Sequence, residues 1–359
     1  MYNALFMLNH LAPRSARIQR WRDTVRLRVA RHLEKGGPGK IVPVERVKGL
    51  SPREFRTRYL ATGTPVILDK GAADWPCTKS WSFDGFRERF GSATLKLVHH
   101  KGLSDDDAVL DREYTAEMNF GDFLDQALAG GTKYMRFSPI LEMFPELVGD
   151  FDMSFLREMP GPLSLGTTFE AFIGGKKTFT PLHNAPTPFF FVNVCGIKRW
   201  ALIPNHYLSV LNPAADGMSY NHSGADVGRP DATEFPGLAS IDRMEAVLEP
   251  GDLFFMPSWL WHSVQNEAPT IGVRCGFIYP TSMLGESRTL FFIRVFAARN
   301  PTLGQVLYHT LLKRNLPERK NMLLQPRMYW NMAPLKALTE SAFARKLAGD
   351  RVPTRGRTE

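Results

Sequence analysis

The stretch that decides the fold is "TFTPLHNAPTPFFFVNVCGIKRWALIP", residues 178–204. It places one histidine, His183, ahead of an apolar run from Phe189 to Val194. Short runs of Phe, Val, Ile and Leu between Pro, Gly and Asn read as strands broken by turns. A second stretch, "VLEPGDLFFMPSWLWHSVQNEAPTIGVRCGF", residues 247–277, has the same texture. There Pro250-Gly251-Asp252 makes a turn, Leu253 to Phe255 a buried strand and Pro257 a break. Trp259 and Trp261 then precede His262. A lone histidine beside aromatics is ordinarily a packed core or rim residue. Two of them, each in a β-rich segment next to a Pro-marked turn, can meet inside a barrel mouth. The whole span 163–280 therefore predicts an antiparallel β-sandwich or barrel.

The 359 residues are enough for one large domain or two ordinary ones with a sizeable core. No run of eighteen or more apolar residues occurs, so no transmembrane segment is expected. In the absence of a targeting signal, the expected location is cytoplasmic. The three cysteines, Cys77, Cys195 and Cys275, are widely spaced and form no CxxC pair. They read as free thiols of a reducing compartment. Charge is uneven: residues 1–40 carry +7 and residues 286–359 carry +9, against +9 for the whole chain, which leaves 41–285 at −7. A uniformly basic nucleic-acid binder would not divide its charge this way.

Outward from the two histidines the chain divides into four parts. Residues 1–40 form a basic N-terminal arm, with Ile18, Trp21, Val25, Val29 and Leu33 near helical spacing and Gly36-Gly37-Pro38-Gly39 as the stop. Three readings of this arm stand together. It is a helix docked on the protein's own acidic core, a helix for an acidic partner, nucleic acid or anionic membrane, or an Arg-rich transit segment. Residues 41–162 form an α/β portion, with a helix start at Ser51-Pro52-Arg53-Glu54, a strand at "PVILDK" and another at "KYMRF". Residues 163–280 form the β core, interrupted at 212–240 by a stretch poor in large apolar residues, which reads as an inserted loop or lid. Residues 281–359 form a helical region. Its segments "LFFIRVFAARN" and "VLYHTLLKRN" are apolar enough for a homodimer contact or for packing on the chain's own barrel.

The paired motifs resemble the cupin-like, JmjC-type family of Fe(II)- and 2-oxoglutarate-dependent dioxygenases. The matching elements are Thr180-Pro181-Leu182-His183, Gly196-Ile197-Lys198-Arg199-Trp200, Pro250-Gly251-Asp252 and Trp261-His262, together with the upstream "RYLATGTPVIL…ADWPCTKSWSFDGFRERFG". The resemblance covers about residues 50–280. It implies an eight-stranded double-stranded β-helix (a jelly roll, or cupin), flanked by the N-terminal α/β portion and the C-terminal helices. It also implies iron held by His183 and His262. Such iron is bound by two histidines and one carboxylate, with three positions left open. Residues i and i+2 of a strand share a face, so His-x-Asp supplies two ligands from one strand. By the same resemblance Lys198 anchors the far carboxylate of 2-oxoglutarate, helped by Thr180, with Tyr134 as a further contact. Read without the resemblance, Lys198 is a solvated turn lysine.

The departures cluster at this site. Ala185 stands at the third-ligand position, and alternation turns Asn184 to the other face. Phe189 stands where a hydroxylase of the family has a polar Asn, and Arg274 where the family usually has a small polar residue. Three readings follow. The chain is an oxygenase of hydroxylase type whose site is completed by water or a borrowed acid, with Glu170, Asp216, Asp226 and Asp231 as candidates. Alternatively it resembles iron/2-oxoglutarate halogenases, with chloride beside Ala185. In the third reading it is a non-catalytic binding or scaffolding module. The substrate is open between a small molecule, a carrier-bound group and a protein side chain. Phe189, Phe191, Trp259 and Arg274 are the candidate pocket residues.

Overall fold

The computed structural model describes residues 1–98, 114–138, 140–164, 166–215, 221–297 and 329–330. Its strands are β1 Ile41–Pro43, β2 Arg46–Val47, β3 Val66–Leu68, β4 Thr94–Val98, β5 Tyr114–Asn119, β6 Tyr134–Ser138, β7 Gly166–Gly174 and β8 Phe179–Asn184. They continue with β9 Phe189–Cys195, β10 Lys198–Ile203, β11 Asn221–His222, β12 Arg243–Leu248, β13 Leu253–Met256, β14 Trp261–Asn266, β15 Thr270–Phe277 and β16 Tyr329–Trp330. Among the described residues these form two sheets. One runs β1-β12-β10-β14-β8-β11. The other runs β2-β3-β13-β9-β15-β7-β6-β4-β5, with β16 added on β7. The eight strands β7 to β10 and β12 to β15 divide four and four between the sheets, alternating except that β10 and β12 are neighbours in one sheet, in the manner of a double-stranded β-helix.

Burial explains the sequence texture. In β9, Phe190 and Val192 face the core built with Phe55, Phe86 and Phe255, while Phe189 and Phe191 face the other way. Both faces are apolar because both are covered, so the strand reads as an unbroken hydrophobic run. The Ser51 capping box with Glu54 forms as the sequence predicts, and the helix it starts carries Phe55 and Tyr59 into the core. All three cysteines are free. Burial pushes the Cys77 thiol up to about 12.

Two helices precede the sheets, α1 Tyr2–Leu11 and α2 Ala16–Glu34. The arm is seated on the fold through an apolar cluster of Phe6, Val25, Leu211, Phe235 and Leu238. Trp21, expected on the packed face, is exposed, and Arg22 points inward instead. Its guanidinium donates to Asn9 Oδ1 (2.6 Å), Tyr2 Oη (2.9 Å) and the carbonyl of Pro213 (2.8 Å). These bonds tie both helices to the segment after β10. The stretch 212–240 is not an open lid over its described part. Ala225, Val227, Phe235 and Leu238 are buried in the same cluster, and β11 pairs with β8. Few large apolar residues suffice there because each of the described ones is buried.

Helices Pro280–Glu286 and Arg288–Phe292 follow the β core. The expected helical segment "VLYHTLLKRN" lies outside the described residues, as does Asp216. No described helix is long and apolar enough to cross a membrane.

Replacing Arg22 with Met should lower the free energy of unfolding by about 2–4 kcal/mol, because several buried acceptors lose their donor at once. A urea titration of the two proteins measures it, and an unchanged midpoint would show that the arm is not fastened this way.

Candidate metal and cosubstrate site

Three neighbouring strands build the site. On one side of β14, His262 lies opposite His183 of β8. On its other side, Asn266 lies opposite Lys198 of β10, and Val264 opposite Trp200. One irregularity matters. Thr180 and His183 are three residues apart, so strict alternation would turn them to opposite faces. The pairing slips between His262 and Val264, where two residues of β14 span three of β8. Pro181 sits in that bulge, where a residue without an N–H is tolerated. The bulge turns both Thr180 and His183 into one cavity of about 210 Å³.

The imidazoles of His183 and His262 have ring centroids 4.2 Å apart and are nearly inaccessible to solvent. Each ring is aimed by its own strand. His183 Nδ1 donates to the carbonyl of Pro181 (2.8 Å), and His262 Nδ1 donates to that of Leu260 (2.9 Å). The proton then sits on Nδ1, and Nε2 carries the lone pair, the arrangement of a metal-binding histidine. Burial, followed by the neighbouring imidazole, holds His183 well below the ordinary histidine range. Burial brings His262 down to about 4. Both rings are neutral at neutral pH, as metal coordination requires.

Ala185 lines the same cavity, whereas Asn184 faces away, where it donates to the carbonyl of Trp259 and accepts from Asn221. Among the described residues no group of three His, Cys, Asp or Glu side chains converges to hold a metal. Of the borrowed acids, Asp226 and Asp231 are exposed and cap their own turns, through Gly228 and through Thr233 and Glu234. Glu170 does face the cavity but is paired with Arg274 at 2.5 Å. The donors therefore fit a metal through two imidazoles, and among the described residues no third protein ligand joins them.

The cosubstrate end fits better. Lys198 is 1% exposed, so the reading as a solvated turn lysine is overturned. Its Nζ donates to Tyr134 Oη (3.1 Å) and to Asn266 Oδ1 (2.7 Å), and no carboxylate pairs with it among the described residues. Asn266 in turn donates to Thr178 Oγ1 (2.8 Å), which donates to the carbonyl of Gly175 (2.7 Å). That chain fixes which end of the amide faces the lysine. Asn266 was legible in principle, as the next inward residue after His262 and Val264, but its amide has no motif of its own.

The cavity is also lined by Phe189, Phe191 and Arg274. Trp259 is not part of it. Its backbone is left-handed (φ 58°), and its ring packs outside, donating to the carbonyl of Met283. Trp261 faces outward too, because it alternates with His262. A residue that no motif marked is His222, which β11 places opposite His183 on the same face of the sheet.

With this geometry in view, comparison with known proteins is direct. The cupin-like domain matches residues 52–277. The chain belongs to the cupin-like, JmjC-type family. Lysine-specific demethylase JMJ30 of Arabidopsis thaliana is 28% identical over 240 residues, covering 64% of this chain and 53% of that protein. Lysine-specific demethylase 8 of Xenopus tropicalis is 27% identical over 219 residues, covering 60% and 48%. Arginine-specific demethylase JMJ20 of Arabidopsis thaliana is 24% identical over 275 residues, covering 64% and 56%. The chain thus spans about half the length of these relatives.

The neutral histidines make a pH prediction for the metal-free protein. Their folded-state affinity for protons is depressed, so the unfolded chain binds more protons as pH falls below about 6.5. Stability should be fully present above that pH and decline toward pH 4, His262 contributing roughly 2–3 kcal/mol of the loss. Melting curves of wild type and His262→Asn across this window test it. Parallel pH profiles for the two proteins would contradict it.

Proposed function

We propose that the chain is an Fe(II)- and 2-oxoglutarate-dependent oxygenase of hydroxylase type, with a metal triad that lacks its carboxylate. The observation that carries this reading is Lys198. A buried ammonium without an acidic partner is costly, and a bound anion removes the cost. Here the ammonium lines the same cavity as two neutral imidazoles whose lone pairs are on Nε2. A dicarboxylate that also chelates a metal satisfies both features.

In this reading His183 and His262 hold the iron, and Lys198 with Tyr134 and Thr180 holds the far carboxylate of 2-oxoglutarate. Asn266 and Thr178 position the ammonium. Phe189, Phe191, Trp200 and Val264 keep the surroundings apolar, which strengthens the lysine–carboxylate attraction. Iron with 2-oxoglutarate supplies the activation of dioxygen that no side chain here can perform. Membership of the JmjC-type family and the demethylase names of its relatives support oxidative chemistry. They do not select among a small molecule, a carrier-bound group and a protein side chain as substrate. The exposed arginines of α2 (Arg17, Arg20, Arg28 and Arg31) support the further proposal of an acidic partner for the arm. Dimerisation through the C-terminal helices and a cytoplasmic location are proposals of the same standing.

A second reading, a binding module without catalysis, is favoured by the missing third ligand. A halide at Ala185, as in halogenase-like chemistry, is favoured by the space a methyl group leaves beside His183. Anaerobic titration with Fe(II) and 2-oxoglutarate separates them. The oxygenase reading expects a visible chelate band and a Lys198→Met variant that binds 2-oxoglutarate at least about tenfold more weakly, the worth of a charge-assisted bond. Ala185→Asp should raise iron affinity. A band that sharpens only with chloride supports the halide. No band under any condition leaves the binding module.

A further inference from the structure

Helix α2 commits only one of its faces to the fold. Val25 and Ala30 are buried, and Ile18, Val29 and Leu33 are half-buried beside them. The opposite face is ordered by the helical repeat as well. Arg17, Trp21, Thr24, Arg28, Arg31 and Lys35 follow one another in steps of three or four residues, so they form a single row along the outside of the helix. All of them are exposed. From the rise of an α-helix the row is about 27 Å long. Arg20 and Leu27 lie on its flank and are exposed too. The exposed acids of the helix, Asp23 and Glu34, fall outside the row, and Asp23 is already paired with Arg26 (3.6 Å).

The cations of this row are not used inside the protein. Arg22 reaches the fold through the bonds described above, and Arg26 through the carbonyl of Glu234 (2.7 Å). Among the described residues, Arg17, Arg20, Arg28 and Arg31 form no ion pair with the acidic span 41–285. The basic tail does not offer a counter-charge either, since residues 286–359 carry +9. Nor is the row purely charged. Trp21 is 47% exposed, and the Arg17 guanidinium stands 4.6 Å from its ring centroid, which steadies the indole at the surface. Leu8 and Leu11, at the end of α1 that joins α2, are exposed as well. Phosphates alone would account for the arginines but not for apolar side chains presented beside them. A bilayer with anionic headgroups meets both, because it offers charge at its surface and an apolar boundary just beneath, where tryptophan is favoured.

We propose that the outer row of α2 docks on an anionic membrane surface, with its cations at the headgroups and Trp21 at the acyl boundary. The attachment is peripheral, since α2 is too polar to cross the bilayer. The inference rests on the acidic partner proposed for the arm, which it names, and it does not depend on the oxygenase reading.

The test mixes the full chain with vesicles of phosphatidylcholine alone, and with vesicles of phosphatidylcholine and phosphatidylserine in equal parts, and reads binding by co-sedimentation. The chain should bind the anionic vesicles, leave the neutral ones and be released as salt rises. The triple variant Arg17→Gln, Arg28→Gln and Arg31→Gln should bind at least about tenfold more weakly, with an unchanged urea midpoint. Thr24→Lys should bind about fivefold more tightly, the worth of one more cation at such a surface, a gain that misfolding cannot imitate. Trp75, Trp81, Trp200, Trp259 and Trp261 are buried, so a blue shift of tryptophan emission on vesicle binding is expected from Trp21 and should vanish in Trp21→Phe. Equal binding to neutral vesicles, binding that survives the triple variant, or a blue shift that survives Trp21→Phe overturns the proposal. So does a chain that binds a single-stranded oligonucleotide but no vesicle, which assigns the row to nucleic acid. So does one that binds no vesicle and self-associates through the row, which assigns it to the acidic span of a second copy. A chain that does none of these overturns the acidic partner as well and leaves the oxygenase reading untouched.

Discussion

Strand β14 pairs with β8 on one side and with β10 on the other, and this double pairing places the two imidazoles, Thr180 and Lys198 around one cavity. It sets His262 against His183 and Asn266 against Lys198. A slip of one residue would turn all of them to the opposite face. The apolar strands β9 and β13 resist that slip, since both of their faces are filled with large side chains. The bulge at Pro181 is the one place where the ladder yields, and it adds Thr180 to the face that holds His183.

Within that frame the cavity is organised around charge. Two imidazoles are kept neutral by burial, and an ammonium is buried with no carboxylate paired to it among the described residues. These conditions suit a cation and a dianion bound together, each supplying what the other and the protein lack. Ala185 carries no negative charge at that position, and the positive charge of Arg274 is answered by Glu170, although the guanidinium keeps donors in reserve.

Much of the fold was legible. The Pro- and Gly-broken runs, the Ser51 capping box and the helix of the arm all express local physics that a sequence carries. The eight-strand core and the candidate role of Lys198 came from motif resemblance. Other features were not legible. Trp21 has helical spacing for the core yet is exposed, because α1 covers a different stripe and pulls Arg22 inward. Trp259 looked like a pocket aromatic, but a left-handed backbone sends its ring outward. The segment 212–240 looked like a free loop because its few apolar residues gave no period, though most of the large ones are buried.

By itself the sequence determined the residue types. It set two histidines in β-rich segments, an alanine where a carboxylate is usual, a lysine in a turn motif and an arginine two residues from each of two glycines. Strand alternation and turn chemistry are local, so these could be read along the chain. The tertiary structure decided which of them meet. It buried the lysine without an acid, paired Arg274 with Glu170 across 104 residues, and excluded Trp259 from the cavity. Those outcomes depend on sheet register and on which faces are covered, and no local pattern encodes contacts between distant strands.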